Sequence, residues 1–390
     1  MKNLSEHPIV LILNGNNYNE GFPNKLVIGE DKSAIAGLKN GFENFTNFLN
    51  NQEKPVYGFL GYDLKNEIEK LQSKNLDSLT FPNYFFFNPK NEISFHSLDD
   101  ILSFPNNEPS SSSFQLKHRV CRNSYLETVK KIQRHIKKGD VYELNYCMEF
   151  YIEDITINPF LLYKQLNTIS PTPYSVFLKN NDHYLIGASP ELFLKKEGDT
   201  ILSKPIKGTI KREEDPILDA ENKEKLRHSE KERAENLMIV DLVRNDLAKS
   251  AIPGSIHVDE LFEIYSFKQV HQMISTVSAK ADPGISIPDI IKNAFPMGSM
   301  TGAPKIRAME LIEQYESTKR GLYSGSVGYI NPNGDFEWNV VIRSILYNAQ
   351  KRYLSFHVGS AITYDANPEQ EYEECLLKAK AICEVLGASF

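Results

Sequence analysis

The chain has 390 residues, 41% hydrophobic and 24% charged, which is the balance of a globular protein and not of a disordered one. Acidic residues outnumber basic ones by 51 to 44, a net charge of −7, which argues against nucleic acid as a partner. No apolar run reaches the ~18 residues of a membrane span, and Pro8–Leu13 is too short for a signal segment, so a soluble, cytoplasmic protein without a membrane partner is expected.

Strand-like pieces come first, at Tyr57–Leu60 and Tyr84–Phe87. The polar stretch Pro105–Ser113 is the clearest seam, and it divides an N-terminal segment, 1–115, from a main unit, 116–390. After it, Asn123 or Ser124 caps a helix over Tyr125–Lys138 that Gly139 ends. Cys121, Cys147, Cys375 and Cys383 form no C-x-x-C pair and read as reduced thiols. Ser175–Leu178 and Tyr184–Ala188 pair as a hairpin. Ser229–Lys249 is a long helix with Leu237, Val240, Val243 and Leu247 on one face, and Gly302-Ala303-Pro304 opens another through Tyr315. A meander follows, over Gly325–Ile330, Glu337–Tyr347 and Tyr353–Thr363. The last helix has Asn367 as N-cap, Pro368 in its first turn and Gly387 as its stop. Hairpin-linked strands with helices grouped elsewhere predict an α+β fold.

Two helices each carry carboxylates three residues apart, Glu232 with Glu235 and Glu371 with Glu374, and Lys378 lies one turn beyond the second pair. Side chains at that spacing share a helical face, so two facing pairs suit a hard cation such as Mg²⁺. Equally, Glu232 can complete a capping box with Ser229, and Glu371 and Glu374 can simply oppose a helix dipole. Lys207 stands before Gly208 in an extended stretch and can be a solvated charge, a contact for a phosphate or carboxylate, or a nucleophile; the last must lose a proton, which takes burial or a cationic neighbour. Glu191, in Ser189-Pro190-Glu191, precedes it by sixteen residues, a strand-and-return that brings an acid beside an amine, or else leaves a surface glutamate on a hairpin. Thr301 through Lys305 puts amides at a helix start, a seat for an anion, and Gly359 and Ser360 offer further amides at a strand end. Arg343 is a lone charge in an apolar strand and must reach water or a partner such as a carboxylate, with Tyr323 just before the neighbouring strand. His271 is either a core histidine or a donor to substrate.

In order along the chain, these segments resemble the chorismate-utilising enzymes. The resemblance rests on GDVYELN (139–145), ASPELF (188–193), KPIKGT (204–209) and AENLMIVDLVRNDL (234–247). It continues through QVHQMISTV (269–277), MTGAPK (300–305), GLYSGSVGY (321–329), VIRS (341–344) and EYEECLLK (371–378). It implies two packed antiparallel β-sheets flanked by helices, with 116–390 as the chorismate-binding catalytic domain. It implies one Mg²⁺ held mainly by Glu235 and Glu374, with Glu232 and Glu371 in or beside that shell. Tyr323 and Arg343 then hold the enolpyruvyl carboxylate, the ring carboxylate lies on the metal and on amides near Thr301, Gly359 and Ser360, and His271 and Lys378 line the pocket.

Lysine at position 207 resembles the aminodeoxychorismate-forming branch, where anthranilate-forming relatives typically carry alanine. The implied mechanism has Lys207 adding to C2 of chorismate while Glu191 protonates the leaving C4 hydroxyl, after which ammonia attacks C4 and expels Lys207 from C2. The resemblance further implies that ammonia comes from a separate glutamine amidotransferase subunit (component II), because no such region is visible in the chain. Glu143 stands where glutamine is common among the amine-forming members, and Gly359-Ser360-Ala361-Ile362 departs from the usual Gly-Ala-Gly-Ile. No Leu-Leu-Glu-Ser inhibitor motif is evident, so tryptophan feedback is not expected.

Overall fold

The computed structural model describes residues 4–50, 53–103 and 114–388. The expected seam, Pro105–Ser113, lies outside the described residues. Among those described, two ten-stranded sheets form, each a path of nine strands with one more at its side (Lys117–His118 on Glu143–Ile152, His257–Ser266 on Val270–Lys280), and every strand pairing within them is antiparallel. The first sheet runs from Gly302–Ala303 through Glu143–Ile152, Tyr353–Ile362, Ser344–Asn348, His183–Ser189 and Tyr174–Asn180 to Ile9–Asn14, Lys25–Gly29 and Asn91–Ser94. The second runs from Ile206–Lys211 through Val270–Lys280, Thr200–Lys204, Leu192–Glu197 and Phe336–Asn339 to Ser326–Ile330, Val56–Leu60, Tyr84–Phe87 and Ala34–Gly37. Strands from both sides of residue 115 therefore share both sheets.

The alternation of strand Ile9–Asn14 shows how the layers are built. Ile9, Leu11 and Leu13 join a core that unites both sheets, while Val10 and Ile12 join a second core under helices Arg122–Lys137, Pro159–Ile169 and Pro368–Leu386. A strand buried on both faces needs the continuous apolar run that this one has. Helix Glu230–Ala248 packs on strands Val270–Lys280 and Ile206–Lys211 and sinks Ile239, Val240, Val243 and Leu247 into the first core. The expected Leu237 is instead 52% exposed, because the buried stripe passes through Ile239. No helix among the described residues is long and apolar enough to cross a membrane.

Several local expectations hold. The hairpin Tyr174–Asn180 with His183–Ser189 is present, and Asn367 Oδ1 accepts from the amides of Glu369 and Gln370 at 3.0 and 3.4 Å. Gly387 stops that helix with φ 69°, a conformation open to glycine. Others need correction. The helix after the seam starts at Arg122, with Cys121 at its N-cap, a turn earlier than a polar cap predicted. Pro304 caps its helix from outside, because Gly302–Ala303 pair as a strand with Glu143 and Leu144. The strand expected over Glu337–Tyr347 is two strands in different sheets, Phe336–Asn339 and Ser344–Asn348.

Between those two strands the chain crosses from one sheet to the other, and Arg343 takes φ 49°, which ends the extended run. A second crossing, Ser189 to Glu191, lies beside it. Ser189 Oγ donates to Val340 O at 2.6 Å, Val340 N to Glu191 O at 3.0 Å and Ala188 N to Arg343 O at 3.1 Å. The two crossings are thus tied together where the sheets exchange chain.

Candidate active site

A cleft opens at these crossings. Its walls are strands Ile206–Lys211 and Val270–Lys280 of one sheet, Tyr353–Ile362 of the other, and the helices Glu230–Ala248 and Pro368–Leu386. The structure gathers Glu191, Lys207, Glu232, Glu235, Tyr323, Arg343, Gly359, Glu371, Glu374 and Lys378 around this one space. The hairpin of Leu192–Glu197 with Thr200–Lys204 accounts for the first two: its register sets Leu192 opposite Lys204, so the residues just outside it, Glu191 and Lys207, meet at its open end.

Burial pushes the Glu191 carboxyl up to about 7, against the opposing pull of the Ser299 hydroxyl, Lys207 and Arg343. An acid so placed holds its proton near neutral pH and can give it up, which suits a general acid. Lys207 Nζ lies 3.5 Å from Glu143 Oε1, with both side chains almost fully buried. Burial alone would lower the amine's pKa, but the Glu143 and Glu235 carboxylates outweigh it and hold the ammonium above the ordinary lysine range. The burial that a nucleophilic role calls for is present, but its effect on the amine is overridden by two acids.

Ser229 Oγ accepts from the Glu232 amide at 3.4 Å, yet Ser229 N donates to Leu226 O, so the carboxylate of Glu232 completes no capping box and faces the cleft. Burial, then the nearby Glu374 carboxylate, raises the pKa of Glu232. Burial drives Glu235 to about 8, and its Oε1 has no hydrogen-bond partner. Burial also opposes ionisation of Glu374, but Lys378 reverses that and keeps its pKa low. Lys378 Nζ stands 2.7 Å from Glu374 Oε1 and donates to Gly359 O at 2.9 Å. Lys231 Nζ donates to Glu371 Oε1 at 2.9 Å. Among the described residues no three acidic, histidine or cysteine side chains converge closely enough to enclose a metal ion. The donor set, oxygen only, and the Glu235 Oε1 left without a hydrogen bond nevertheless fit a hard divalent cation.

Arg343 is drawn into the cleft by its crossing, and its guanidinium makes no hydrogen bond or ion pair among the described residues. Burial lowers it to about 10, partly offset by Glu191. A half-buried fork with free donors is a receptor for a planar anion. Tyr323 stacks on His357, ring centroids 5.0 Å apart, with its hydroxyl 3.7 Å from Cys147 Sγ.

Three expected site residues do not reach the cleft. His271 is tied back by Ser266 Oγ at 2.8 Å and Asp219 Oδ1 at 3.0 Å, and it is Gln272, on the other face of the strand, that faces the space, with its Oε1 buried and unpartnered. Thr301 spends its hydroxyl on Met297 O and Gly298 O and its amide on Gly298 O; Ser299 and Met300 line the wall instead. Ser360 points away between Gly359 and Ala361, its hydroxyl 3.0 Å from Tyr125 Oη, as strand alternation requires. Sequence reasoning left Lys231, Gln272, His357 and Ser299 unassigned. The spacing of Lys231 to Glu235, one helical turn, was the available signal for the first.

The family model described as chorismate binding enzyme matches residues 23–384. The chain belongs to the chorismate-binding enzymes. The aminodeoxychorismate synthase of Arabidopsis thaliana chloroplasts is 40% identical to this chorismate-binding enzyme over 74% of the chain, although the match spans only 31% of the plant protein. Aminodeoxychorismate synthase component 1 of Bacillus subtilis is 32% identical over 85% of the chain and 77% of its own length. The crystal structure of anthranilate synthase component I from Streptococcus pneumoniae superposes with a TM-score of 0.77 at 25% identity, covering 96% of this chain and 92% of that one.

Proposed function

We propose that this chorismate-binding enzyme is the chorismate-aminating component of an aminodeoxychorismate synthase, making 4-amino-4-deoxychorismate from chorismate and ammonia for 4-aminobenzoate and folate synthesis. The observation that carries the reading is the buried Lys207 amine in the same cleft as the proton-holding Glu191. Arg343 and Tyr323 orient the enolpyruvyl carboxylate. Glu143 Oε1, at 3.5 Å, is the acceptor in reach for the proton that Lys207 has to lose. The freed Nζ then adds to C2, the ring double bonds shift, and the C4 hydroxyl leaves as water with the proton of Glu191. Ammonia attacks C4, the double bonds shift back, and Lys207 departs and recovers its proton.

Glu235 and Glu374, with Glu232 and Glu371 in or beside the shell, would hold Mg²⁺, which when bound neutralises the ring carboxylate among four acids. The component 1 relatives support a partner, which we take to be a glutamine amidotransferase that supplies ammonia. The free cysteines among the described residues agree with a reducing, cytoplasmic setting. The test is to incubate the protein with chorismate, Mg²⁺ and an ammonium salt, then add an aminodeoxychorismate lyase. 4-Aminobenzoate is expected; anthranilate would move the chain to that branch, and turnover without ammonia would mark an isochorismate- or salicylate-forming enzyme.

A further inference from the structure

One cation at the cleft has no part in the chemistry above. Lys231 Nζ donates to Glu371 Oε1 at 2.9 Å and stands 3.8 Å from Glu235 Oε1, so it bridges one carboxylate from each acidic helix. Glu235 and Glu371 are buried, whereas the lysine side chain is 44% exposed. The neighbouring cations are held differently. Lys378 is anchored to Gly359 O as well as to Glu374, and Lys207 is buried against Glu143. Among these lysines of the described residues, Lys231 alone rests on the acids of both helices and has solvent to retire into. Two buried acids brought together by facing helices raise the cost of ionising either one, and a bridging ammonium offsets part of that cost. A divalent cation offsets more of it and needs the same oxygens, so the two cannot share the face.

We propose that Lys231 is a built-in stand-in for the metal, holding Glu235 and Glu371 together in the metal-free protein and swinging into solvent when a divalent cation takes those oxygens. This rests on the metal reading given above. Metal affinity is then set by competition with the protein's own side chain, and the acidic helices stay together without metal.

The test is Mg²⁺ binding by titration calorimetry, together with urea unfolding in chelator and in saturating Mg²⁺, on the full chain as wild type, Lys231→Met and Lys231→Arg. Lys231→Met should bind Mg²⁺ about two- to fivefold more tightly, as expected on removal of a partly exposed ion pair. Its unfolding midpoint should fall in chelator and return to the wild-type value in Mg²⁺. Lys231→Arg should keep the metal-free midpoint and weaken Mg²⁺ binding, because the guanidinium fork grips carboxylates more firmly. Equal or weaker binding by Lys231→Met, or an unchanged metal-free midpoint, overturns the proposal while leaving the metal reading intact. If wild type and variant alike bind no Mg²⁺, the metal reading falls and this inference with it. If Lys231→Met does not fold in chelator, the arginine variant decides, and unchanged Mg²⁺ affinity there is a refutation.

Discussion

Glu235→Gln should stabilise the metal-free protein while disabling it. The folded protein holds this carboxyl near 8 against an ordinary 4.5, chiefly through burial. At pH 7 the unfolded chain ionises Glu235 freely and the folded one does not. At about 1.36 kcal/mol per pH unit, the fold forgoes up to about 3 kcal/mol at pH 7 and up to about 5 kcal/mol above pH 8. The sign follows from the direction of the shift: a raised carboxyl leaves stability intact below the unfolded value and loses it as pH rises through the folded one. Glutamine has nothing to ionise, so the variant escapes the loss. Urea midpoints in chelator at pH 5, 7 and 9 should show the variant ahead by little at pH 5 and by most at pH 9. Equal midpoints at pH 9, or a gap that does not close toward pH 5, would refute the account of this burial. In the same variant, activity and Mg²⁺ dependence should fall together.

Lys207→Ala should cut formation of the 4-amino product roughly a thousand-fold or more, with any remaining turnover diverted to amination at C2; product chromatography with unchanged rate and product would dismiss the nucleophile. Glu191→Gln should lower kcat by about 10²–10⁴. In the wild type, kcat/KM should decline as pH rises through about 7 and Glu191 loses its proton, a limb that the variant should lack. Gly208→Ala forces a side chain onto φ +89° with its Cβ 3.0 Å from Glu232 Oε2, and should cost about 1–2 kcal/mol of stability in urea unfolding while impairing turnover through Lys207. Gln272→Leu should raise the KM for chorismate and His271→Asn should not; the reverse pattern in steady-state kinetics would return His271 to the site.

Residues whose placement follows from local periodicity were legible in the sequence. Three-residue spacing put Glu232 with Glu235 and Glu371 with Glu374 on single faces, and both pairs line the cleft. A hairpin of ordinary length was enough to bring Glu191 and Lys207 together. What the chain hides is set at long range. His271 and Gln272 are adjacent, and only the pairing of their strand decides which of them faces the cleft, since neighbouring strand residues point oppositely. The same alternation removed Ser360. Arg343 looked like a charge stranded in an apolar strand because the passage between sheets leaves no mark in hydropathy. The pairing of Glu143 with Lys207 joins different sheets, so no spacing could show that an acid would keep the amine charged.

Because the two inter-sheet passages are stitched to one another by Ser189 and Val340, the acid on one and the guanidinium on the other move as a single rigid yoke. Anyone transplanting this chemistry to another scaffold should therefore carry both passages and the serine that laces them, since neither loop holds its charge in place by itself.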